Sequence, residues 1–160
     1  MRIFLSAVFL SLLAGCASSP KPTLTSIEIE EIKPRYIKEA SFKRISSYLS
    51  GKEDFGNRVI LSSDPSERTG FYFTLILSES IRRLPTGTVI EGEFFTAASV
   101  EQQKHEFSLP NKRPRTKEIF IGLTGADWPR NGGTPAAWRF SIKDPNGKVL
   151  AEKQSYLWSF

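Results

Sequence analysis

The sequence predicts a mainly β chain, folded as a single antiparallel β-sandwich of about eight strands with one short helix near 40–50. Three observations predict it. Beyond residue 26, apolar and polar residues alternate through most of the chain, the period-two signature of half-buried strands. Gly, Pro, Asn and Asp interrupt these runs at short intervals, the spacing of an all-β sandwich. Only one stretch shows helical spacing: Phe42, Ile45 and Leu49, with Gly51 following as the residue that closes the last turn.

Taken in order, Ile27 and Ile29 alternate with Glu28 and Glu30 and form the first strand. Residues 58–63, "RVILSS", form the second, ended by Asp64-Pro65. In "GFYFTLILS", Phe71, Phe73, Leu75 and Leu77 share one face and Tyr72, Thr74 and Ile76 the other. Both faces are apolar enough for a central strand. The "LPTG" turn leads into "TVIEGEFFTA", with Ile90 and Phe94 on one face and Glu91 and Glu93 opposite. "KHEFSLP" aligns His105, Phe107 and Leu109; "EIFIGLTG" aligns Ile119, Ile121 and Leu123; "AAWRFSIKD" aligns Trp138, Phe140 and Ile142. "DPNG" at 144–147 is turn chemistry, since Pro fixes φ and Asn and Gly tolerate positive φ. A last strand is expected from Lys148 to about Trp158. Strand number and spacing resemble immunoglobulin-like sandwiches, without their Cys…Trp…Cys core signature.

The chain divides into three parts. Residues 1–15 pair one basic residue, Arg2, with an uncharged apolar run at 3–13. That run falls short of the roughly 20 residues that cross a bilayer and suits a secretory signal of about 7–15 apolar residues. Its end, Leu13-Ala14-Gly15-Cys16, resembles the lipobox of bacterial lipoproteins. The resemblance implies a diacylglyceryl group on the Cys16 thiol, cleavage between Gly15 and Cys16, and acylation of the new amine. Ala17 stands where an Asp would imply retention at the inner membrane, so the resemblance implies an outer membrane in a cell that has one, with the domain facing the periplasm. Residues 16–26 are the lipidated N-terminus and a polar tether with Pro20 and Pro22. Residues 27–160 are the domain.

Losing residues 1–15 lowers the net charge from +5 to +4. This is mild, unlike the concentrated charge of a nucleic-acid binder. Cys16 is the only cysteine, so its acylation leaves no thiol for a disulfide, a metal or nucleophilic catalysis. Chemistry elsewhere is sparse. His105 is the only histidine and shares a face with Phe107, the pattern of a half-buried structural residue rather than a catalytic base. Glu91 and Glu93 could supply paired carboxylates but read as the wet face of a strand. No cofactor beyond the covalent lipid and no metal site is expected.

Two surfaces remain. "NKRPRTK" at 111–117 carries Lys112, Arg113, Arg115 and Lys117. It suits an anionic surface, or simply a solvated loop, which is the reading preferred here. "TGADWPRNGGTP" holds Trp128 beside Asp127; Trp128 either stacks on a ligand or caps the core, and capping is preferred. Tyr156, Trp158 and Phe160 alternate like the closing strand of an outer-membrane barrel, but Gln154 and Glu152 continue that parity where lipid-facing residues belong. They are expected to complete the sandwich core.

The expected function is a non-enzymatic accessory module of the cell envelope, held to the bilayer by Cys16. It would bind an envelope protein partner and no nucleic acid. A glycan- or peptidoglycan-binding module using Trp128 with Glu91 or Glu93 is the alternative; a small barrel or an enzyme ranks below it.

Overall fold

A computed structural model describes residues 24, 26–43, 51, 55–96, 99–128 and 134–159. Among these residues, eight strands form two four-stranded sheets: β1 (Ile29–Ile37), β2 (Val59–Ser62), β3 (Gly70–Leu77) and β6 (Glu118–Thr124) in one, and β4 (Val89–Thr96), β5 (Ser99–Ser108), β7 (Pro135–Lys143) and β8 (Val149–Gln154) in the other. The order is β1-β3-β6-β2 in the first sheet and β5-β4-β7-β8 in the second. Setting β2 aside, the remaining seven strands follow the immunoglobulin-like order A-B-E against C′-C-F-G.

The core lies between the sheets. Phe71, Phe73, Leu75 and Leu77 of β3 and Ile119, Ile121 and Leu123 of β6 face Ile90 and Phe94 of β4 and Phe140 and Ile142 of β7. Phe73 meets three rings of the opposite sheet: Phe94 at 5.4 Å, Trp138 at 5.8 Å and Phe140 at 5.2 Å between centroids. Such contacts add about 0.5–1.5 kcal/mol each to the burial of the rings. β3 is central, as its two apolar faces predict. Its outer face carries a second cluster, where Tyr72 and Phe120 pack with Ile37 and Phe42.

Four expectations are corrected. β2 pairs with β6 in parallel, Val59 opposite Ile119, so the sandwich is not wholly antiparallel. β1 runs on to Ile37 rather than stopping near Glu30, with a bulge between Ile29 and Glu31. That bulge breaks the alternation, and Pro34 is tolerated because β1 is an edge strand. β5 starts at Ser99, well before Lys104. β8 ends at Gln154, and Tyr156–Ser159 turn into a 3-10 helix. Of the expected helix near 40–50, Ile45 and Leu49 lie outside the described residues. A 3-10 turn at Glu39–Ser41 precedes Phe42, whose side chain is buried in the outer cluster.

Both exposed edges on one side are joined by a long side chain. Lys153 of β8 donates from Nζ to the carbonyls of Ile29, at 2.9 Å, and Glu30. These are edge acceptors of β1 that would otherwise invite another strand.

The outer cluster depends on a glycine. A Cβ at Gly122 would lie 2.4 Å from Tyr72 Cε1. The Tyr72 hydroxyl donates to the Arg68 carbonyl at 2.7 Å, which holds the ring in place. Burial pushes the Tyr72 phenol up to about 12. Gly122→Ala is therefore expected to cost about 1–3 kcal/mol through overpacking, read as a lower urea midpoint at unchanged slope.

Candidate functional site

The register sorts the loops to two ends. Residues 78–88, 109–117 and 144–148 gather at the end where Ile29 opposes Leu77 and Val89 opposes Lys143. The chain arrives at this same end: Leu24 N–H donates to the Arg83 carbonyl and Ile27 N–H to the Leu150 carbonyl, both at 3.3 Å. Residues 63–69, 125–128 and the turn Tyr156–Ser159 gather at the opposite, distal end.

At the N-terminal end, the four cations of 111–117 separate into different roles. Arg113 is half-buried, and its Nη1 lies 3.3, 2.9 and 3.2 Å from the carbonyls of Ile81, Leu84 and Pro85. Burial lowers its pKa; the group holds the 3-10 turn Ile81–Arg83 rather than a ligand. Lys117 donates to the Ser78 carbonyl at 2.6 Å. Backbone bonds complete the clasp, from Ile81 to Thr116 at 2.9 Å and from Leu77 to Lys117 at 3.0 Å. Lys112 and Arg115 stay exposed on this pinned loop.

At the distal end, Thr124 and Asp64 exchange hydrogen bonds of 3.0 Å through the Thr124 hydroxyl. Gly125 follows with φ +58°, and a Cβ there would sit 2.4 Å from Asp64 Oδ2. This fixes the 3-10 turn Gly125–Asp127 and with it Trp128. Trp128 is partly buried against the main core and stacks on Tyr36 at 5.2 Å and 28°. Its Nε1 is buried without a hydrogen-bond partner among the described residues. Asp127 is half-buried beside it. Tyr36 is a second aromatic that the sequence reading missed; it lies on the length of β1 hidden by the bulge and Pro34.

Tyr156, Trp158 and their neighbours do not finish the core, which corrects that expectation. Tyr156 is 79% exposed and Leu157 57%. Trp158 instead lies on the outside of the second sheet, 5.2 Å from the Phe95 ring and 4.9 Å from the Arg139 guanidinium. Phe160, Gly15 and Cys16 lie outside the described residues.

Glu91 and Glu93 are not a wet face either. Both are buried under neighbouring side chains, at 8% and 6% exposure. Glu91 pairs with Lys104 at 2.8 Å and Lys143 at 3.0 Å. Glu93 accepts from Arg139 Nε and Nη2 at 2.6 Å and from Gln102 Nε2 at 2.6 Å. Strand register brings these partners from β5 and β7 across β4, and no local spacing announces them. Burial disfavours the Glu91 carboxylate, but hydrogen bonds and charge from Lys104 and Lys143 outweigh it and hold its pKa below 4.5. The Trp128–Glu91 or Trp128–Glu93 site is not assembled: Trp128 stacks on the first sheet's β1, and the carboxylates are engaged on the second sheet.

His105 lies between Phe94, at 6.2 Å, and Phe107, at 6.3 Å, with Nε2 buried and unpaired among the described residues. Among the described residues, no three His, Cys, Asp or Glu side chains converge to hold a metal. No helix among them is long and apolar enough to cross a membrane. Comparisons with protein-family models, curated proteins and solved structures find no match to this chain.

The Glu91 cluster generates a pH prediction. A carboxyl with a depressed folded pKa stabilises the fold above its unfolded value, and that contribution disappears as pH falls through the folded value. The urea midpoint should fall as pH drops below about 4.5. Glu91→Gln should lower the neutral-pH midpoint and shrink its change between neutral pH and about pH 3.

Proposed function

We propose that this chain is a membrane-anchored lipoprotein of the cell envelope, and that its β-sandwich is a non-enzymatic accessory module acting through protein–protein contacts. The observation that carries the reading is Leu13-Ala14-Gly15-Cys16 directly after an apolar signal segment and directly before a polar tether. Two or more acyl chains make such an anchor stable, where one is marginal. The anchor needs nothing further from the domain, which is free to serve a partner. In a cell with an outer membrane, Ala17 favours that membrane and a periplasmic domain.

Support for protein contacts comes from the distal end. Tyr36, at 46% exposure, stands there with Tyr156 and Leu157, and aromatic residues at a rigid rim suit a protein interface. The glycan-binding reading gains one observation, the Tyr36–Trp128 pair. Those rings stack on each other, however, so each covers a face that a sugar would need.

In the native envelope, Cys16→Ala should move the protein from the membrane to the soluble fraction. Crosslinking from position 156 should capture a protein partner, and Leu157→Glu should reduce that capture roughly tenfold. Recovery of no partner above background would sink the protein-contact reading. Retention on peptidoglycan that is lost in Tyr36→Ala, with folding intact, would favour the glycan reading instead.

A further inference from the structure

We propose that the N-terminal end of the sandwich is a second membrane contact: Lys112, Arg115 and Arg82 rest on anionic lipid headgroups and turn the aromatic end away from the bilayer. The inference rests on the lipid-anchor reading, and it adds an orientation and a lipid chemistry to it.

The path of the chain sets the geometry. Leu24 and Ile27 are bonded at the same end as the 111–117 loop. From Cys16 to Leu24 the chain spans eight residues, a reach of at most about 28 Å even when fully extended. Cys16 therefore enters the bilayer within that distance of this end, and the distal rim lies beyond it by the length of the strands.

Charge at this end is presented, not merely present. Segment 111–117 holds four cations and no acid. Arg113 and Lys117 are committed to backbone carbonyls of 78–85. That clasp leaves Lys112 and Arg115 pointing from a fixed loop, while Arg82 lines one shallow recess with Lys112 and Arg113. Lys148 is exposed on the neighbouring turn. The acids at this end do not cancel them. Glu79 pairs with Arg83 at 3.0 Å, and Asp144, bonded to the Asn146 and Lys148 amides at 2.8 and 2.9 Å, keeps its charge on the turn that carries Lys148, away from the 111–117 loop. Glu28 and Glu118 are exposed but lie outside the loop that bears Lys112 and Arg115.

Screening makes position decisive. At physiological salt, attraction to an anionic surface fades within about 8 Å. Cations at the distal end gain nothing from it, whereas each cation at the surface favours contact about fivefold. An acyl anchor together with a basic patch is a recognised pair of membrane signals.

The test uses the full lipidated protein reconstituted in vesicles of phosphatidylcholine, alone or mixed with phosphatidylglycerol. One nitroxide label is placed through Asn111→Cys and another, separately, through Ser159→Cys. The first should contact headgroups in the anionic vesicles only, and the second should remain in water in both. Lys112→Glu with Arg115→Glu should reduce the anionic contact by at least tenfold at an unchanged urea midpoint, and high salt should do the same. An acylated protein whose Asn111 label is equally hydrated in both vesicles overturns the orientation and spares the anchor. A Cys16 that carries no lipid by mass overturns both.

Discussion

The Phe73 ring joins the two sheets, and the rest of the structure depends on that contact. It leaves β3 and meets Phe94, Trp138 and Phe140 of the second sheet. With the one cysteine at position 16, no disulfide spans this core, and packing alone sets the spacing of the sheets. Gly92 makes room for it: a Cβ there would come 2.8 Å from Phe94 Cζ and 3.1 Å from Phe140 Cε1. Losing a buried Phe of this kind costs about 3–5 kcal/mol, a large share of the 5–15 kcal/mol by which such domains are stable.

Fixed sheets give fixed ends. One end is built from polar clasps, with Arg113 on three carbonyls and Asp144 inside its own turn. The other is built from rings, with Trp128 against Tyr36 and Trp158 between Phe95 and Arg139. The outer faces are partly covered. Phe42 and Phe120 cover part of the first sheet, and the Glu91 and Glu93 ion pairs cover the second. The ten-residue β5 forms the edge of the second sheet opposite β8.

Much of the fold was legible because strand parity writes itself into sequence. The facing sets of β3, β4, β6 and β7 follow directly from alternation. Legibility failed where pairing partners matter more than the strand itself. Nothing local in "RVILSS" says that β2 runs parallel to β6, a strand some 60 residues later. The bulge and Pro34 disguised the second half of β1 and with it Tyr36. Glu91 and Glu93 looked wet because their cations arrive from β5 and β7. The basic loop was plain in sequence, but the division between Arg113, which is structural, and Lys112, which is exposed, needed the carbonyls of 81–85.

The direction of β1 has a mechanical consequence. It leaves the N-terminal end at Ile29 and runs to Ile37 at the distal end, paired throughout with β3. Antiparallel ladder bonds lie perpendicular to the strands. A pull on the N-terminus against a load at the distal rim therefore acts along β1 and across every rung at once. The ladder is loaded in shear, with the rungs sharing the force, rather than unzipped one rung at a time.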